Sequence, residues 1–124
     1  PCEDDQTIAI QHEPSKYHRH GKYCTRIRNV GETPFKVKRF AAFQKTGLFG
    51  KYRLSTITND WFTQDQFIHW FNQKSEWICP GTEVADHDNF GFGNGFWVFE
   101  IEYETGKTVT VKTRLPNKMP RHVP

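Results

Sequence analysis

At 124 residues and 14.6 kDa the chain has room for one hydrophobic core and too little for two. Only 35% of it is apolar while 15% is aromatic, so the core must be built from a few large rings, which suit a pleated sheet better than a helix bundle. A formal charge of +3 is too small to argue for nucleic-acid binding, and no apolar run approaches the roughly 18–20 residues of a membrane-spanning helix, so a soluble chain is expected.

The chain opens on Pro1-Cys2 rather than on methionine, as a mature secreted form does after its signal peptide is removed; a start chosen for recombinant expression would look the same. Its three cysteines, Cys2, Cys24 and Cys79, permit one disulfide and one odd thiol, and their spacing fits no zinc pattern. A bridge from Cys2 to Cys24 or Cys79 is expected, because stapling a terminus to a strand orders it. Three reduced thiols packed as small hydrophobes are the alternative.

Residues 6–11 form a short strand candidate, followed by a polar loop over 12–21. Residues 22–30 then alternate, with Tyr23, Thr25 and Ile27 on one side and Cys24, Arg26, Arg28 and Val30 on the other. Gly31-Glu32-Thr33-Pro34 breaks the pattern. Residues 35–44 resume it, placing Phe35, Val37, Ala41 and Phe43 on one face and Lys36, Lys38 and Phe40 opposite. These two strands are expected to pair as a hairpin. With Tyr23 and Phe43 on its buried side, Arg26, Arg28, Lys36 and Lys38 gather on the outer side as a candidate basic patch. A one-residue slip would scatter these charges, and a merely solvated strand face is the plain alternative.

Residues 46–50 read as a glycine-flanked loop and 52–58 as another β segment. Thr63-Gln64-Asp65-Gln66 has the form of a capping box, and Phe67, Trp70 and Phe71 follow at helical spacing, so one short helix is expected over 63–72. Pro80-Gly81 makes a turn, and the Asn- and Gly-rich stretch 86–95 reads as an irregular loop. The clearest signal comes last: Trp97, Phe99, Ile101 and Tyr103 alternate with Val98, Glu100, Glu102 and Glu104, Thr105-Gly106 turns the chain, and Val109 and Val111 alternate with polar residues. That is a β-hairpin. The sum is an antiparallel β-sandwich of six or seven strands with one helical insert, spanning 1–115, and a flexible tail over 116–124.

The order of features resembles the tapetum-determinant group of small secreted plant proteins. The resemblance is carried by Cys2, Asp4, Asp5 and Gln11 at the start, by Tyr23, Ile27 and Asn29 in the next strand, and by Pro80-Gly81 ahead of the late Asn and Phe residues. It covers most of the chain in outline and implies an extracellular ligand of receptor-kinase ectodomains with no catalytic site. The chain departs from that group in lacking its several central cysteines, where Val30, Phe43 and their neighbours stand instead. Ile27-Arg28-Asn29-Val30-Gly31 is also similar to a short segment of aegerolysins and of sandwich-fold pathogen effectors.

Several residue groups raise chemistry. His12, His18 and His20 share one loop, but Lys16 and Arg19 among them oppose a dication, and His122 in the tail is incidental. Asp86, Asp88 and Asn89 offer oxygens for calcium beside flexible glycines, without EF-hand spacing. The same stretch carries Phe90, Phe92 and Phe96, which would form a contact loop if their rings stay exposed. His69 with Glu76, Glu100 and Glu102 supplies the residue types of a small basic ribonuclease or hydrolase, although His69 also fits a packed helix face. No nucleophile elbow, phosphate loop or dinucleotide fingerprint occurs, and no metal or cofactor is implied. The expected function is therefore a secreted recognition protein that binds an extracellular receptor or a cell-surface glycan, with the hydrolase as the alternative. Its expected contact residues are Arg26, Arg28, Lys36, Lys38, Phe90, Phe92 and Phe96.

Overall fold

The computed structural model describes residues 7–14, 22–45, 50–56, 60–91 and 93–116. In chain order its elements are β1 (Ile8–Pro14), β2 (Tyr23–Asn29), β3 (Phe35–Lys45), β4 (Tyr52–Leu54), β5 (Phe62–Thr63), α1 (Gln64–Trp70), β6 (Glu83–Asn89), β7 (Gly95–Tyr103) and β8 (Thr108–Arg114). They make the expected antiparallel sandwich: a smaller sheet in the order β1-β2-β6 and a larger one in the order β4-β3-β7-β8, with β5 also paired to β3. No helix among the described residues is long and apolar enough to cross a membrane.

Alternation along β7 and β8 has the predicted result. Trp97, Phe99 and Ile101 face the core, and the hairpin register runs from Glu102 opposite Thr108 to Phe96 opposite Arg114. The smaller sheet contributes Ile8, Ile10, Ile27 and Val84 from the other side, so the interior is a layer of rings capped by aliphatic side chains. The helix begins as the sequence predicts. Thr63 caps it, its hydroxyl accepting the Gln66 N–H while the Gln66 side chain accepts the Thr63 N–H. Its Phe67 and Phe71, stacked at 4.2 Å, are buried in the core, and Trp70 packs on Phe62 and Phe90.

The predicted hairpin between residues 22–30 and 35–44 is not formed. β2 pairs with β1 and β6, whereas β3 pairs with β4, β5 and β7 in the other sheet. The cause lies in the connection. The buried Asn29 side chain accepts from Gly31 N and donates to the carbonyls of Thr33 and Ile78, which turns the chain over the rim of the sandwich. Gly31 is wedged there, because a Cβ at that position would lie 2.7 Å from the Cβ of Thr7.

A second difference lies within β3. The register shifts between Val37 and Arg39, so Phe35, Val37, Phe40 and Ala42 all reach the core while Phe43 moves to the outer face. A bulge inserts one residue and inverts the phase of everything after it. Elsewhere β1 extends through Pro14, which lies opposite Tyr23, so His12 belongs to a strand rather than to the predicted loop. The stretch expected to be irregular from 86 onward is in part β6, which ends at Asn89. The expected tail lies outside the described residues apart from Pro116.

Candidate functional site

The predicted basic patch does not assemble, since β2 and β3 occupy different sheets. Arg26 is held between Glu13 and Glu83 on the smaller sheet, and Arg28 is exposed on the same strand. On β3, Lys36 lies 4.9 Å over the Trp77 ring and 4.0 Å from Glu76, and Lys38 lies 3.6 Å from Glu102. Nor do the three phenylalanines form one contact loop. Phe90 packs inward on Trp70 and Trp97, Phe96 belongs to β7, and Phe92 lies outside the described residues.

Phe96 nevertheless belongs to a surface that the sequence reading missed. Because Trp97, Phe99 and Ile101 face inward, Phe96, Val98, Glu100 and Glu102 face outward, and the β3 bulge brings Arg39, Ala41 and Phe43 to the same side. One rung of the larger sheet therefore carries Leu54, Phe43, Phe96 and Arg114 in strand order, and Lys45 and Tyr52 face each other on the next. The rings make a row. Trp61 meets Phe43 at 5.6 Å, Phe43 stacks on Phe96 at 5.7 Å, and Phe96 meets Tyr52 at 5.1 Å. Arg39 lies 4.0 Å from the centre of the Trp61 ring and Lys112 5.1 Å from that of Phe96, both within cation–π range. Tyr52 is 49% exposed, which leaves much of its ring open to a partner. Nothing within β3 alone signals this face, because the bulge between Val37 and Arg39 shows only in the pairing with β7.

At the opposite end of this face the charges neutralise one another. Arg39 donates to Glu100 at 2.8 Å, a bond that holds the Glu100 carboxyl below its ordinary pKa, and Lys38 lies near Glu102. Two of the three glutamates of the expected hydrolase, Glu100 and Glu102, are thus ion-paired on an outer sheet face. His69 stands exposed on α1 rather than packed, and Glu76 accepts from Gln64. No contact joins His69 to these acids among the described residues.

A buried polar cluster lies between the sheets. Thr25, at its centre, accepts from Asn89 at 2.7 Å and is hydrogen-bonded to His12 Nδ1 at 2.8 Å, while His12 Nε2 lies 3.3 Å from the Thr113 hydroxyl. Burial lowers the pKa of His12 to about 4, keeping the ring neutral. Asp86, opposite Thr25 on β6, accepts from Asp88 N, and burial raises its pKa to about 6. Beside them the Trp97 indole donates to Tyr23, whose hydroxyl donates to the Phe90 carbonyl, so this cluster is turned toward internal partners. Asp86 is thus a strand residue facing inward rather than part of a calcium loop. His18, His20 and His122 lie outside the described residues. Among the described residues no group of three His, Cys, Asp or Glu is placed to hold a metal ion.

A groove of about 790 Å³ opens between β1 and β8, floored by Ile8, Ile10, Val109 and Val111. Thr7 and Tyr103 hydrogen-bond across one end, and His12 and Thr113 across the other. Its lining adds threonine hydroxyls with Tyr103 and Lys107, and no carboxylate among the described residues.

The cysteines differ from expectation. Cys24 is a buried free thiol 3.5 Å from His87 Nδ1, Cys79 is an exposed free thiol, and Cys2, the expected partner of one of them, lies outside the described residues. Burial pushes the Cys24 thiol pKa up, which suppresses the reactive thiolate. Brief alkylation of the folded protein should therefore label Cys79 well before Cys24. Peptide mapping by mass spectrometry checks this, and equal labelling would contradict the burial of Cys24.

The fold and surface together define an antiparallel β-sandwich with an aromatic, cationic outer face on its larger sheet. No protein-family model matches the chain, and no curated protein matches it.

Proposed function

We propose that this chain is a secreted, non-catalytic recognition domain that binds a cell-surface glycan across the outer face of its larger sheet. The observation that carries this reading is the row Trp61, Phe43, Phe96 and Tyr52 along one outer sheet face. Ring faces offer apolar, sequence-tolerant stacking to a sugar ring, and Tyr52 OH and Asn94 Oδ1, 3.5 Å apart, add polar groups at its margin. A protein receptor is favoured less. Lysine is depleted from the centres of protein interfaces, yet Lys112 lies over the Phe96 ring within the row.

Titration calorimetry with soluble polysaccharides tests the reading. Tyr52→Ala should leave stability within about 0.5 kcal/mol, as exposed substitutions do, and weaken glycan binding roughly tenfold, the loss of about 1.4 kcal/mol of ring contact. Absence of polysaccharide binding by the wild type, or a Tyr52→Ala protein that binds equally well, would overturn it.

A further inference from the structure

We infer that the glycan taken by this face is polyanionic, its carboxylate or sulfate groups met by Lys45, Lys112 and Arg114. This rests on the glycan reading above and adds the chemistry of the chain. All three cations are exposed, and among the described residues none of them forms an ion pair. Their positions follow from the register. Lys112 lies opposite Val98 and Arg114 opposite Phe96 on the β8 side, while Lys45 lies opposite Tyr52 on the β4 side. Residues two apart on a strand are about 7 Å apart and neighbouring strands about 4.8 Å apart, so the cations bracket the ring row over roughly 14 Å. A chain crossing the rings would meet positive charge on both flanks.

Glu100 and Glu102 lie toward the far end of this face, and Asp60 adjoins Trp61. Glu100 and Glu102 are engaged by Arg39 and Lys38, and Asp60 lies close enough to Arg39 to act on its charge. A polyanion is therefore attracted to the Phe96 side of the ring row, where Lys45, Lys112 and Arg114 lie, and Asp60 stands at the Trp61 end beside Arg39. Val98 and Ala41 are buried although they face outward, so the longer side chains around them lie down over the sheet. Lys112 thus meets a ligand from within the ring row.

The test compares polymers that share a backbone and differ in charge: polygalacturonate with its methyl ester, and a sulfated glycosaminoglycan with its desulfated form. By calorimetry at 25 mM NaCl the wild type should bind one of the charged forms at least tenfold more tightly than its neutral counterpart, and that preference should shrink as salt screens the charges. The double variant Lys112→Glu, Arg114→Glu should lose the preference with its melting temperature unchanged within a few degrees. Arg28→Glu, on the smaller sheet, should keep it. Equal binding of charged and neutral forms would overturn this inference and leave the glycan reading standing. Binding of a single-stranded oligonucleotide with no binding to any polysaccharide would overturn both.

Discussion

Truncating Phe40 to alanine should lower the stability of this protein by about 3–5 kcal/mol, the usual cost of removing a fully enclosed aromatic ring. Phe40 is 2% exposed and sits among Phe62, Phe67, Trp97 and Phe99, stacking on the last at 5.8 Å. These rings come from β5, α1 and β7, so the cavity would loosen the join between the helix and the larger sheet. In a domain of this size the loss corresponds to a fall in melting temperature of roughly 10–20 °C. Phe43→Ala is the companion measurement. Phe43 is only half-buried, on the outer face, and its truncation should cost clearly less. Urea titrations of the two variants decide between the two phases of β3. A larger loss for Phe43→Ala would restore the uninterrupted alternation read from the sequence and remove the bulge at Val37–Arg39.

Between about pH 4 and 6 the wild-type protein should show a shallow stability profile in which two opposed slopes cancel. His12 falls from 6.5 to about 4 on folding, so the unfolded chain takes up its proton first, and stability is lost as the pH drops through that window. Asp86 rises from 3.8 to about 6, so the folded chain holds its proton longer, and stability is lost as the pH rises through nearly the same window. Each shift corresponds to about 2 kcal/mol once the solvent reaching these partly exposed groups is allowed for. Single variants should separate the slopes. Asp86→Asn should gain about 2 kcal/mol of stability between pH 4 and 6.5, and His12→Gln should lose a similar amount between pH 4 and 6. Denaturant midpoints at four or five pH values read both. An Asp86→Asn protein with the wild-type profile would mean that this carboxyl is solvated in the folded state.

Local chemistry was sufficient for part of this architecture. The capping box at Thr63 and the Phe67, Trp70, Phe71 spacing specify α1 because a helix start needs only the side chains within its first turn. The hairpin of β7 and β8 is equally local, its strands joined through the Thr105-Gly106 turn with Gly106 at φ 94°. The aromatic composition, in the same way, implied a ring-built core between two sheets. The partners of β2 and β3 were not legible, because strands adjacent in sequence can pair or part according to how the connection is tied. Here Asn29 ties it to Ile78, nearly fifty residues away. The phase of β3 was hidden for a related reason, since a bulge at Lys38 becomes visible only against the partner strand that fails to match it. That one residue moved Phe40 into the core and Phe43 out beside Phe96. The sequence by itself determined a β-rich chain with one capped helix and a core of rings. Which rings and cations share the outer face was decided only by the tertiary structure, because face membership is a property of paired strands and not of any one of them.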